Sequence, residues 1–277
     1  MLKRIGDEMN SKLMFFVMCT TVTACYAMEQ NRELKVGIYS EINKRERQED
    51  RFYTGKVDGG MLYAVYDGHG GATIAITLAR EFPGYFSQTF GEMKHRMETA
   101  FVSMDNDQWI KNNGHCGSTA SMVFIKDGIA HFAHVGDSRA VLEQQNKFFF
   151  ATQDHKPESP DEKERILKAG GLILKQKLFG TIAVSRAFGD YQLDGEKKFL
   201  IAKPDYTQIS LTENNRFLVL ATDGLWDAMS SEEVVEQLVN NSCKLKDMNE
   251  FAKLLGLFAI SRGSVDNITV MVVDLLS

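Results

Sequence analysis

The chain has 277 residues, 44% of them hydrophobic and 25% charged, an ordinary globular composition with enough length to bury one large core. Its formal net charge of −5 supplies no positive field for a polyanionic backbone, so nucleic acid is not expected as a partner. The cysteines, Cys19, Cys25, Cys116 and Cys243, show neither the paired spacing of a zinc site nor the density of a disulfide scaffold.

The amino-terminal run Leu13–Met28 (LMFFVMCTTVTACYAM) is apolar and uncharged, follows Lys3, Arg4 and Lys12, and has the shape of a secretory leader. It is shorter than the ~20 residues a helix needs to cross a bilayer, so a removed leader over residues 1–28 fits better than a permanent span, and no transmembrane span is expected in the mature chain. Val22-Thr23-Ala24-Cys25 resembles a lipoprotein processing box with Cys25 as the lipidated residue. The expectation is export or membrane anchoring if the leader is real, and a cytoplasmic protein if translation starts at Met28. Between Glu33 and the last residue no linker, low-complexity tract or repeat intervenes, so residues 33–277 are expected to form one unit, working as a monomer.

Strand-like runs follow at Met61–Tyr66, Ser118–Ile125, Ile129–His134, Ala140–Glu143, Phe217–Thr222 and Asn267–Asp274. Between them, Ala72–Phe82 reads as a helix stopped by Pro83, and Glu92–Ile110 as one that places Met93, Met97, Phe101 and Met104 on a core face. Ser159 with Glu162, Ser230 with Glu233 and Asp247 with Glu250 have capping-box spacing, and Pro160 and Gly170 mark the two ends of the first of these helices. Long antiparallel helices covering sheets are therefore expected.

Two of the apolar runs end alike, MLYAVY before Asp67-Gly68 and FLVLAT before Asp223-Gly224, while NITVMVV is preceded by Asp266. If the third strand is antiparallel to the other two, all three carboxylates meet at one edge of a sheet. Such a trio repels itself unless protonated or neutralised, and its hard oxygen donors suit Mg²⁺ or Mn²⁺. The glycine after each aspartate lets backbone approach closely and leaves the Gly68 carbonyl free to coordinate. A single Asp-Gly would be no more than a turn; the matched pair, with Asp266 in register, points to a metal site.

The motifs RERQED (Arg45 to Asp50), VYDGHGG (Val65 to Gly71), CGSTA (Cys116 to Ala120), VGDSRAVL (Val135 to Leu142), TQDHKP (Thr152 to Pro157), ERILKAGG (Glu164 to Gly171), AVSRAFGD (Ala183 to Asp190), LATDGLWDAMS (Leu220 to Ser230) and VDNITVMVV (Val265 to Val273) occur in this order. Together they resemble the type 2C protein phosphatases, metal-dependent enzymes acting on phosphoserine and phosphothreonine in proteins. The resemblance implies an α+β fold, a central β-sandwich of two mainly antiparallel sheets flanked on both faces by antiparallel helices. It implies two divalent cations, Mn²⁺ or Mg²⁺, with Asp67 bridging them, Asp223 and Asp266 completing one, and Glu49 and the Gly68 carbonyl serving the other. Asp50 would belong to the metal site by orienting metal-bound water, and Asp137 and Asp227 align with residues that hold a weaker third cation in some relatives.

Within this resemblance Arg45 can grip two phosphate oxygens with its planar fork, and His69 can protonate the departing seryl or threonyl oxygen. Ser138, Arg139, Asp154, His155 and Arg186 read as scaffold. No Cys-dependent phosphatase signature or Gly-x-Ser-x-Gly elbow is present, so covalent catalysis is disfavoured. A catalytically silent binding module on the same fold is the alternative, which the full set of ligands argues against, and a two-metal nuclease conflicts with the acidic balance. The short segment Tyr191–Phe199 occupies the variable region after AVSRAFGD where relatives carry a flap near the site, so the resemblance transfers no substrate contacts there and leaves specificity open.

Overall fold

The apolar runs of the sequence show little polar alternation because they are covered on both faces. A computed structural model describes residues 34–277 except Lys197 and Lys246; the leader-like run and its Cys25 lie outside the described residues. In chain order the strands β1 (Lys35–Glu41), β2 (Arg51–Val57), β3 (Gly60–Tyr66) and β4 (Gly68–His69) precede the helices α1 (Thr73–Ser87), α2 (Met93–Asp105) and α3 (Gln108–Asn112). Next come β5 (Gly117–Ser118), β6 (Ala120–Lys126), β7 (Ile129–Val135), β8 (Arg139–Gln144), β9 (Lys147–Ala151) and α4 (Pro160–Lys168). The short strands β10 (Ile173–Leu174), β11 (Lys177–Leu178) and β12 (Phe188–Gly189) lead to β13 (Asp205–Ser210) and β14 (Phe217–Ala221). The chain then forms α5 (Asp223–Trp226), α6 (Ser231–Asn241), α7 (Met248–Ser261) and β15 (Ile268–Asp274).

Two five-stranded sheets, ordered β1-β15-β14-β8-β9 and β13-β7-β6-β3-β2, have antiparallel neighbours throughout. Side chains alternate across a strand, and the two faces of each central strand go to different layers. Leu62, Ala64 and Tyr66 of β3 pack with Leu78, Phe82 and Phe101 of α1 and α2, whereas Val219 of β14 and Val270 and Val272 of β15 pack with Leu238, Phe251 and Leu255 of α6 and α7. The opposite-parity residues Tyr63, Val65, Leu218, Leu220 and Met271 are also fully buried, and Phe132 of one sheet meets Phe150 of the other edge-on at 4.9 Å. The architecture is the expected four-layer α+β sandwich.

Several local expectations change. Pro83 lies inside α1 rather than ending it, and the helix continues for four further residues. The stretch read as one helix over Glu92–Ile110 is two, because Asp107 turns its carboxylate to the Trp109 N–H at 2.7 Å and starts α3 afresh. Met97, Phe101 and Met104 are core as expected. Ser230 and Glu233 form a reciprocal capping box, but Ser159 makes no side-chain cap, and Glu162 is drawn to Arg165 and Arg186 at 2.7 Å each instead of reaching back to it. Asp247 caps α7 by accepting from the Asn249 N–H.

Candidate metal centre

The three aspartates do not share one sheet edge. Asp67 follows β3 in one sheet, whereas Asp223 follows β14 and Asp266 precedes β15 in the other, so the carboxylates gather where the two sheets end side by side. The sequence placed the trio at the edge of a single sheet because the apolar runs carry no information about which sheet each joins. The two glycines act as the sequence suggests: a Cβ on Gly68 would lie 2.7 Å from the Glu49 carbonyl oxygen, and one on Gly224 would lie 2.0 Å from that of Asn267. Only glycine permits either approach. Thr119 fixes Asp67 from below, accepting the Asp67 N–H with its hydroxyl at 3.2 Å and donating its own N–H to the Asp67 carbonyl at 2.9 Å.

Carboxylate oxygens of Asp67, Asp137 and Asp223 lie within 4.8 Å of one another. Burial, then the negative charge of Asp223, holds the Asp67 carboxyl well above the usual carboxylate range. Asp223 is pushed up to about 8 by burial and by Asp137, Asp266 and Asp227. Burial also raises Asp50 to about 6, partly offset by the Thr222 hydroxyl, which donates to its Oδ2 at 2.9 Å; its Oδ1 is buried without a hydrogen-bond partner. Asp137 is raised by burial against the opposing pull of Lys156, whose ammonium is in close contact with its Oδ2. An all-oxygen, strongly acidic set of this kind fits a hard divalent cation, which would remove the mutual repulsion and let these carboxyls ionise.

The cluster forms part of the wall of a cavity of about 600 Å³ that is also lined by Arg45, Glu49, Gly68, His69 and Asp266. Arg45 donates to Asp266 Oδ2 at 2.5 Å, and Glu49 is placed through its backbone N–H, which donates to Asn267 Oδ1 at 2.8 Å. His69 Nε2 lies 2.8 Å from Asp190 Oδ2. Asp50 is buried behind this wall. Asp227, at the end of α5, is exposed and outside the close carboxylate trio.

A family model described as "Protein phosphatase 2C" matches residues 25–268. The chain belongs to the protein phosphatase 2C family. Among curated proteins it is 36% identical over 266 residues to "Probable protein phosphatase 2C 71" of Arabidopsis thaliana, covering 90% of this chain and 57% of that protein. It is 35% identical over 268 residues to "Probable protein phosphatase 2C 59" of the same plant, covering 90% and 82%. Among solved structures, a serine-threonine phosphatase 2C from Toxoplasma gondii is 24% identical and superposes with a TM-score of 0.73 over 87% of this chain and 94% of that one. A sex determining protein of C. elegans is also 24% identical, with a TM-score of 0.78 over 88% and 65%.

The protein phosphatase 2C fold in this chain places further residues at the site that the motifs did not single out. Asp190 closes AVSRAFGD in a left-handed conformation (φ 56°) and is brought to His69 by the three-stranded ribbon β12-β5-β4. A Cβ on Gly117 in that ribbon would lie 2.0 Å from Asp190 Oδ2 and 2.3 Å from His69 Nε2, so any side chain there would push the two apart. Asn267 ties down the loop that carries Arg45 and Glu49, donating to the carbonyls of Ile42 and Arg47 at 3.0 Å each. Its position directly after Asp266 was the available signal. The cavity is lined by Lys177 and Thr181–Val184 and not by the variable region after AVSRAFGD, where Asp194 accepts the N–H groups of Lys198, Phe199 and Leu200. The residues read as scaffold are built into it. Arg139 and Asp154 form a two-pronged pair at 2.9 Å, Ser138 bonds Thr119 at 2.7 Å, His155 stacks on His134, and Arg186 joins Glu162 to Asp205.

Among the described residues no helix is long and apolar enough to cross a membrane.

Proposed function

We propose that this chain is a metal-dependent protein serine/threonine phosphatase that hydrolyses phosphoserine and phosphothreonine in proteins. The observation that carries this reading is the trio Asp67, Asp137 and Asp223, with oxygens within 4.8 Å of one another and with burial and mutual repulsion working against their joint ionisation unless a cation is bound. Asp67, Asp223 and Asp266 would hold one divalent cation, and Asp67, Glu49 and the Gly68 carbonyl a second. When bound, Mn²⁺ or Mg²⁺ supplies a water acidic enough to be hydroxide near neutral pH and screens the phosphate from the carboxylates. Asp137 and Asp227 remain candidates for a weaker third cation, for which Lys156 already competes at Asp137.

The chain's own residues then divide the work. Arg45 exchanges Asp266 for the phosphate, binding two of its oxygens in parallel and setting the ester in line for attack. Asp50, buried behind the cavity wall and anchored by Thr222, would hold a water of the metal centre through its unpartnered oxygen rather than line the cavity itself. As the oxygen–phosphorus bond forms and the ester bond breaks, His69 gives its proton to the departing alkoxide, with Asp190 fixing the ring. Hydrolysis of p-nitrophenyl phosphate and of a phosphothreonine peptide, with Mn²⁺ and with EDTA, tests the reading. Metal-dependent release of phosphate from both is expected, and folded protein inert toward both in Mn²⁺ would instead favour a silent binding module. Export through Leu13–Met28 is part of the proposal, and amino-terminal sequencing of the native protein tests it: an intact Met1 or a start at Met28 rules out cleavage.

A further inference from the structure

Three cationic side chains, Arg45, Arg47 and Lys177, line the cavity beside its acidic groups. Arg45 is committed to the acidic floor through Asp266. Arg47 and Lys177 also line the cavity, both exposed, and neither has an ion-pair partner among the described residues; Glu46 and Glu49 line the same cavity together with the aspartates of the acidic cluster. They come from opposite directions in the chain, Arg47 from the loop leading to β2 and Lys177 from the hairpin β10–β11.

That hairpin is firmly seated. Its two-residue turn, Lys175-Gln176, has both residues at positive φ (50° and 64°), the combination that matches the twist of a tight hairpin. Leu178, next to Lys177, is fully buried in a small core with Ile166, Val184, Ala187 and Leu200, and its carbonyl accepts the N–H of Thr181 at 3.1 Å. The backbone that carries Lys177 is thus held in place while its ammonium stays free.

Resting on the phosphatase reading above, we infer that the site prefers phosphopeptides with acidic residues flanking the phosphorylated serine or threonine, recognised by Lys177 and Arg47 on the cavity rim. A cavity of about 600 Å³ is large enough to admit neighbouring residues as well as the phosphorylated side chain. The flanking carboxylates neutralise the two unpaired cations and leave Glu46 to disfavour further acid only locally. Both cations are exposed, so each contributes modestly and the preference weakens with salt.

The experiment uses the full chain in Mn²⁺ and two phosphothreonine peptides that differ only in carrying Asp or Asn on either side of the phosphorylated residue. The quantity read is the ratio of their kcat/KM values, which a general loss of activity does not move. The wild-type protein is expected to favour the Asp peptide by about tenfold at low salt, the product of two exposed contacts worth about threefold to fivefold each. Lys177→Gln and Arg47→Gln should each lower that ratio about threefold, and Lys177→Glu more. Equal rates on the two peptides in the wild type, or a ratio unchanged by all three substitutions, overturns the inference. A folded wild-type sample inert toward p-nitrophenyl phosphate and toward both peptides overturns the phosphatase reading and this inference with it, so the two failures are told apart.

Discussion

Replacing Asp190 with Asn keeps the side chain's shape and removes its charge, which makes it the mildest probe of the His69 contact. If His69 gives a proton to the leaving oxygen, the contribution is large for an alkoxide and small for p-nitrophenolate, which leaves without help. His69→Ala should therefore lower kcat on a phosphothreonine peptide by about 100-fold or more while sparing p-nitrophenyl phosphate. Asp190→Asn should show the same selectivity at about tenfold, and the double variant should be no slower than His69→Ala, since both act through one group. Equal losses on both esters would make the pair structural. Asp223→Ala should behave differently, losing both activities by about 100-fold or more because a cation loses its ligand. Its circular dichroism should remain native, since the buried strand Phe217–Ala221 is untouched. Asp67 and Asp223, two of the three residues whose carboxylate oxygens lie within 4.8 Å of one another, were legible from flanking apolar runs and repeated glycines, whereas the third is Asp137 rather than Asp266. Asp190 was not legible, because its partner lies 121 positions away and nothing in its own motif names a histidine.

At the scale of elements, legibility followed burial. The six runs read as strands correspond to central strands covered by helices on one side and the opposite sheet on the other. The four long strands that went unread, β1, β2, β9 and β13, are the four edges of the two sheets. An edge strand pairs on one side and keeps much of its surface in solvent, as the mostly exposed β13 does, so its sequence needs neither an apolar run nor strict alternation. Helix starts show the complementary limit. Ser159 and Ser230 have the same capping-box spacing, but only Ser230 makes the box, because Glu162 is claimed by Arg165 and Arg186. Ser230→Ala should therefore cost about 1 kcal/mol in urea denaturation. Ser159→Ala should leave the midpoint almost unchanged, and similar losses at the two positions would mean that residue type, rather than the bonds made, sets the cost.

The whole molecule carries the electrostatic load of its site. Carboxyls raised above their unfolded values bind protons more tightly in the folded chain, so without a cation folding is favoured at low pH and weakened as pH climbs through the folded-state value. For Asp223 that value is about 8. Other groups do not mask the effect there. Glu162 is lowered to about 2 by Arg186 and Arg165 despite its burial, so its contribution is lost only in acid. His134 is lowered to about 4 by burial and by His155, so it is neutral in both states above its unfolded value near ~6.5. Between pH 7 and pH 9 the acidic cluster should therefore dominate, and Tm measured in EDTA should fall by several degrees across that range, at roughly 2–4 °C for each kcal/mol in a chain of this size. Saturating Mn²⁺ should raise Tm more at pH 9 than at pH 7, because the cation replaces a proton that is held less firmly as pH rises. In Asp223→Ala both the EDTA slope and the excess Mn²⁺ effect at pH 9 should shrink, since the carboxyl responsible for much of the penalty is gone. A metal-free Tm that is flat or rising between pH 7 and pH 9 would show that these carboxyls are already ionised and stably accommodated, and that the cluster does not require a cation.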